Sequence, residues 1–296
     1  MNNYEIEQLR KTALWSIIMA IVVGILEFLS IFTSLSSLPY LSYLIIPMTA
    51  VLVIAILFSV KQSGNYRCAV KETIVKAVLV KTFADVYFNA KEGFSRDFIR
   101  STELVPMGNR YYTNDFLSGT YKTVKFRQAD VHIQQHTQSG KTSSTVTLFK
   151  GRWLVYTFNK RFTGFLQIRS NENRLFGNSK PLRWFSERPD THKIKLENEQ
   201  FNERFKIYAS DEQEAFYILT PHFMEKLIEL DDSLEGNLVV GFIDNEVHIA
   251  LYNNRDAFEP SIFRPLDETY YQEIQHDIDL IKMVIDDLTL DVSLYK

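Results

Sequence analysis

The chain contains one cysteine, Cys68, in 296 residues. A lone thiol closes no internal disulfide, and nothing nearby offers metal-ligand spacing. The expectation is a reduced thiol on a helix facing the cytoplasm. The phosphate-cradling loops GxxxxGK[ST] and GxGxxG are missing as well, which removes the common nucleotide-binding devices. No GxSxG elbow occurs, so the usual hydrolase nucleophile is also missing. Charge is absent from one long stretch, with no Asp, Glu, Lys or Arg from Phe28 to Val60.

That uncharged stretch belongs to two apolar runs. The first, "ALWSIIMAIVVGILEFLSIFTSL", covers Ala13 to Leu35, and the second, "LSYLIIPMTAVLVIAILFSV", covers Leu41 to Val60. About 20 apolar residues cross a bilayer as a helix, so each run is long enough. Only "SSLPY" lies between them, which suits a tight turn, and Pro47 is expected to bend the second helix. A cleaved signal peptide fits less well, because the first run is long, lacks a small-x-small site and is followed directly by a second run. Arg10 and Lys11 precede the hairpin, Lys61, Arg67, Lys71, Lys76 and Lys81 follow it, and the turn has no basic residue. The positive-inside rule then predicts a multi-pass protein of the cell membrane with both termini cytoplasmic. Those five basic residues are candidate contacts with anionic headgroups, against the plainer reading of a connecting helix with a solvated face.

Glu27 is the only charge inside either run. An acid at membrane depth is a functional candidate by default, although here it has no second intramembrane charge to form a relay. The competing reading is a carboxyl satisfied within its own hairpin.

After Val60 the pattern changes twice. Residues 64–92 read mostly as helix, with Ile74, Val78, Phe83 and Tyr87 as an apolar stripe, and "SRDFIRSTELV" reads as a short helix capped by Ser95. From about residue 111 the period shortens to that of strands. "TYKTVKFRQADVHIQQHT", "SSTVTLFKG", "RWLVYTFN" and "GFLQIRS" follow one another across short turns, which predicts an antiparallel meander. A long basic loop, "NENRLFGNSKPLRWFSERPDTH", comes next. "KIYAS" is a strand. Ser210 with Gln213 has capping-box spacing, and Thr220 followed by Pro221 marks a second helix start. Phe216, Phe223, Leu227 and Leu230 are the expected core face of these two successive helices, and Gly236 the stop of the second. "NLVVGFIDNEVHIALYN" reads as a hairpin turning at Asp244-Asn245. A last helix, Asp267 to Leu290, carries Tyr271, Ile274, Ile278, Ile281, Ile285 and Leu288 on one stripe. The fold class is α+β: an N-terminal two-helix transmembrane hairpin, then a cytoplasmic antiparallel-sheet domain with packed helices. The expected divisions are a tail at 1–12, the hairpin at 13–60, a juxtamembrane helical segment at 61–105 and the α+β domain at 106–296.

Several strings have a familiar order. "STVTLFKGRWLVYTFNKRFTG", "KLENEQFNERFKIYASDEQEAFYILTPHFMEKL" and "NNRDAFEPSIF" resemble the DUF3137 family of bacterial proteins of unknown function, and the apolar hairpin and "SGTYKTVKFRQADVHIQ" fit it too. The resemblance implies a small membrane-anchored protein with a cytoplasmic domain. It brings no assigned activity and no catalytic residues.

Chemistry is sparse elsewhere. His132 and His136 have chelating spacing on a helix, but on a strand the same spacing is about 13 Å, too far for one metal. Tyr208, Asp211, Glu214 and His222 are the best candidates for an unrecognised enzyme, although helix capping explains most of them. No cofactor or metal is expected. Charge is segregated: residues 61–189 hold 22 Lys and Arg against 9 Asp and Glu, and residues 190–296 hold 9 against 24. The two halves can attract each other inside one fold, or orient the domain near a membrane with the acidic last helix presented to a basic protein partner. The expected partners are therefore the lipid bilayer and that basic protein, with no nucleic acid. The functional readings are a non-enzymatic interaction or scaffold module at the membrane face, a lipid-binding or surface-sensing domain, and an unrecognised enzyme.

Overall fold

The computed structural model describes residues 2–36, 45–140, 142–158, 161–171, 188 and 190–288. The chain divides into two compact units, residues 1–77 with 259–272, and residues 78–258 with 273–296.

The first unit is built on α1 (Asn3–Ser36) and α2 (Ile45–Val70), the latter followed by a π-helical turn, Lys71–Val75. Both helices are long and apolar enough to cross a membrane, and only 11% and 6% of their apolar windows are buried. They meet through small residues. Ser59 Oγ donates to the Ser16 carbonyl at 2.7 Å, and Leu52 lies in ordinary contact distance of the Gly24 position. Of the expected turn between the helices, Ser36 ends α1, and the rest, with residues 41–44, lies outside the described residues. Pro47 falls in the first turn of α2, where a missing amide costs no intrahelical bond, so the expected bend does not follow. At the polar ends of the helices, residues 259–262 are held by charge and hydrogen bonds. Arg67 and Lys71 both reach Glu259 (2.6 and 2.7 Å), Arg10 Nη1 donates to the Ile262 carbonyl and Tyr66 to the Ser261 carbonyl.

Helix α3 (Lys76–Thr82) leads to the second unit, which begins as a strand, β1 (Ala84–Asn89). The helix expected over 64–92 therefore stops at Thr82. Val86 and Phe88 carry a two-residue period that the preceding helical stripe masks, so Phe88 is buried and Tyr87 exposed. Helix α4 (Arg96–Thr102) is capped as expected, with Ser95 Oγ accepting from the Phe98 amide.

Three long strands follow: β2 (Arg110–Tyr121), β3 (Val124–Ser139) and β4 (Thr142–Thr157). Then come β5 (Leu166–Ser170), β6 (His192–Ile194), α5 (Glu199–Arg204), β7 (Phe205–Ala209), α6 (Glu212–Ile218), α7 (Pro221–Ser233), β8 (Asn237–Ile243), β9 (Glu246–Tyr252) and α8 (Glu268–Asp287). The expected loop at 171–192 and the helix end beyond Leu288 lie largely outside the described residues. All strands join one antiparallel sheet in the order β1-β2-β3-β4-β9-β8-β5-β7-β6. The meander holds only for β1 to β4. Next to β4 lies β9, and β5 sits between β8 and β7, a pairing that local turn signals do not encode.

Side-chain alternation gives the sheet two different faces. One row across it reads Leu154, Ile249, Val240, Ile168, Ile207 and Ile194, all buried. Residues of α7 and α8 pack on this face: Phe223 meets Phe242 edge-on, and Tyr156 donates to the Ile281 carbonyl. On α8 the expected stripe is buried from Ile274 to Leu288, whereas Tyr271 is exposed. The opposite face carries a second core under α4, formed by Phe94, Ile99, Leu104, Val131, Trp153 and Ala250. Gly241 lets Leu104 sit against the sheet, since a Cβ there would lie 2.5 Å from its methyl.

Helix α8 is fixed by charge. Asp277 Oδ1 accepts from Arg152 of β4 at 2.6 Å, its Oδ2 accepts from the Phe258 amide at 2.9 Å, and its carbonyl accepts from Arg152 Nη1 at 2.7 Å. Removing one partner of a buried pair costs about 3–5 kcal/mol, while replacing both with apolar groups of similar volume is close to neutral. Asp277→Ala should lower the thermal midpoint, followed by tryptophan fluorescence in detergent, by roughly 10 °C. Arg152→Met with Asp277→Leu should recover most of that loss.

Candidate functional site

The functional candidates suggested by the sequence do not converge. Tyr208 takes a hydrogen bond from Arg169 of β5, whose guanidinium lies 4.2 Å from the phenol ring centroid. Asp211 caps α6, accepting from the Gln213 and Glu214 amides. Ser210, expected as that cap, instead accepts from the Phe165 amide at 2.8 Å. Glu214 accepts from the Thr163 and Gly164 amides at 3.0 and 2.7 Å. These residues therefore fasten the loop before β5 to the start of α6. His222 stands exposed in the first turn of α7. Phe216, expected in the core, is 47% exposed.

His132 and His136 lie on β3 opposite Lys150 and Thr145, and His136 Nδ1 contacts Thr145 Oγ1 at 2.9 Å. Among the described residues, no three His, Cys, Asp or Glu groups gather as a metal site. In α1, Glu27 is only 6% exposed and its Oε2 has no hydrogen-bond partner among the described residues. Of the basic residues after the hairpin, Arg67 and the buried Lys71 hold Glu259, and Lys76 pairs with Glu72 at 3.2 Å. Lys61 and Lys81 are exposed, with no ion pair among the described residues. Cys68 is half-buried and free.

The charge segregation is answered in part inside the second unit. Lys122 pairs with Asp286, Arg127 with Glu246, Lys150 with Asp256, Arg152 with Asp277 and Arg161 with Asp244. Each joins the basic half of the sequence to the acidic half. On α8, Asp277 is committed to Arg152, Asp279 to Lys282 and Asp286 to Lys122 and Tyr121. The last helix therefore does not present a continuous row of free carboxylates.

A cleft missed by sequence reasoning opens on the sheet face that carries α4. Its volume is about 430 Å³, and Asp85, Ser118, Thr120, Lys125, Arg127 and Thr157 line it. Strand register assembles them: Ser118 pairs with Arg127, Thr120 with Lys125, and Arg127 with Val155. Thr120 Oγ1 donates to Asp85. Arg127 lies beside the Phe98 and Phe94 rings (5.1 and 5.9 Å) and donates to Glu246 at 2.5 Å. Trp153 Nε1 donates to His248 Nδ1 at 3.4 Å, which leaves the ring proton on Nε2, 3.5 Å from Glu246. Lys125 is exposed and has no ion pair among the described residues. The exposed Lys125 ammonium, among the hydroxyl side chains of Ser118, Thr120 and Thr157, can receive a polar anionic group. The cleft lining contains no cysteine or histidine.

Residues 147–290 match the family model described as Protein of unknown function (DUF3137). The match includes the Ser210, Asp211 and Glu214 fastening, whereas Asp85 and the cleft residues of β2 and β3 precede it. No curated protein matches the chain. A solved structure, titled crystal structure of the mycobacterial trehalose monomycolate transport factor A, TtfA, aligns at 8% identity over 74% of this chain and 93% of that one, with a TM-score of 0.38. At that score the likeness carries no argument.

Two outcomes follow from the site geometry. A carboxylate accepting backbone amides contributes about 1.5–3 kcal/mol, so Glu214→Ala should destabilise by that amount, read as a lower denaturation midpoint. The hydrogen bond from His248, and then the charge of Arg127, hold the Glu246 carboxyl below its ordinary 4.5 despite burial. Its contribution is complete above that ordinary value and is lost as pH falls through the lower folded value. Glu246→Gln should flatten the acid limb of the stability–pH curve and leave its neutral region the same shape.

Proposed function

We propose that the chain, whose residues 147–290 match the model of the DUF3137 family of proteins of unknown function, is a membrane-anchored, non-enzymatic binding module. The observation that carries this reading is the outward apolar surface of α1 and α2. Ile21, Ile25, Phe28, Ile54 and Leu57 are all more than half exposed, on helices whose own contact uses Ser16, Ser59 and Gly24. In water such a surface is costly, whereas in a bilayer it needs no cover, and small residues at the contact are how helices pack there. The basic flanks favour both termini on the cytoplasmic side. Lys61 and Lys81 are then the best placed to meet headgroups, since Arg67, Lys71 and Lys76 already hold carboxylates.

The binding surface on this reading is the sheet-face cleft and not the acidic last helix. Its unpaired Lys125 suits an acidic group on a partner.

The test is extraction and topology. Carbonate at high pH should leave the chain in the membrane pellet. A protease added outside right-side-out vesicles should spare residues 78–288, and in inside-out vesicles it should digest them. Release by carbonate would remove the anchor from the proposal, and digestion in right-side-out vesicles would reverse its orientation.

A further inference from the structure

A groove of about 500 Å³ runs between α1 and α2 at the boundary between polar and apolar sequence. Gln8, Lys11, Thr12, Trp15 and Met19 line it from α1, and Phe58 lines it from α2. On α1 these positions recur at three- and four-residue steps, so they form one stripe that changes from polar to apolar along the axis. The groove exists because its floor is small. Ser16 is drawn against α2 by the Ser59 hydroxyl, and Ala55 fills little of the space beside it.

We propose that this groove holds an anionic phospholipid, with the phosphate at Lys11 and the upper acyl chain along Trp15, Met19 and Phe58. The inference rests on the membrane reading above. Its own support is charge complementarity and order. Arg10, next to Lys11, is already committed to Glu7 at 2.6 Å and to the Ile262 carbonyl. Lys11 is exposed and has no ion pair among the described residues. An exposed ammonium with no ion pair among the described residues therefore stands at the polar end of an apolar channel. Thr12 donates to the Gln8 carbonyl, so the donors facing a phosphate are the Lys11 ammonium and the Gln8 side-chain amide. Trp15 is 63% exposed, one helical turn (about 6 Å) deeper than Lys11, the level at which tryptophan anchors at an interface. Met19 and Phe58 then line the start of the hydrocarbon. Phosphate, interface and chain fall in the order a glycerophospholipid requires.

The test uses the intact chain in phosphatidylcholine vesicles carrying equal fractions of either brominated phosphatidylglycerol or brominated phosphatidylcholine. Bromine quenches tryptophan on contact, and the Trp15 signal is isolated by subtracting Trp15→Phe. The expected result is about fivefold preferential quenching by the anionic lipid, the enrichment given by one basic side chain near a charged surface. Lys11→Gln should abolish the preference, and Lys11→Arg should keep it. A reporter moved around α1 (Trp15→Phe with Ile17→Trp) shares the depth but not the groove, and should show no preference. Equal quenching by both lipids, or the same preference at position 17, would overturn the groove and leave membrane insertion standing. Quenching by neither lipid would overturn insertion and the groove together.

Discussion

The carboxylate of Asp277 is the point from which the second unit is organised. It joins three pieces of chain that are far apart in sequence: β4 through Arg152, the connector after β9 through the Phe258 amide, and α8 itself. The arrangement continues to β3, where Asp130, the register partner of Arg152, accepts from the Ala257 amide at 2.5 Å. Arg152 lies against the Phe258 ring, so the connector is held by two hydrogen bonds and one aromatic face. The position of α8 on the sheet follows from this. With Asp277 pinned, Ile278, Ile281 and Ile285 are directed into the core, and the helix cannot slide by a turn without breaking a buried charge pair.

The same pair explains why the charge pattern of the sequence is misleading at the surface. A basic first half and an acidic second half suggest a molecule with two poles. The pairing of β3 and β4 with β9, the connector and α8 places the two halves side by side, so several of their charges pair directly. Among the described residues, Lys125 in the cleft and Lys11 and Lys61 near the polar ends of the apolar helices are exposed and have no ion pair.

The local rules of sequence reading were sufficient where structure is decided locally. Ser95, Thr220 with Pro221, and Asp244-Asn245 do what their chemistry predicts, because each needs only neighbours within three residues. Reading failed where a distant group intervened. Ser210 and Asp211 both fit a cap, and the choice is made by the Phe165 amide, which takes the serine hydroxyl and leaves the aspartate for the helix. The strand Ala84–Asn89 follows a convincing helical stripe, and only its pairing with β2 identifies it. The cleft was not legible at all. Its lining residues come from four strands, and none carries a motif, since the site is a product of register.

The hairpin poses the opposite problem, because its sequence is uniform and its packing still has to be specific. Helices that are apolar all round offer no hydrophobic face to choose between, so the burial that orders a soluble pair supplies no preference in lipid. Selection then falls to the few positions that differ from their neighbours. Ser16, Ser59 and Gly24 allow close approach, and the Ser59 hydroxyl adds a hydrogen bond across the pair. Glu27 obeys the same constraint, with its side chain almost wholly buried instead of facing outward. A contact made from small residues leaves hollows beside it wherever a larger side chain next to it turns away. The groove under Trp15 is such a hollow, with the exposed Lys11 at its polar end.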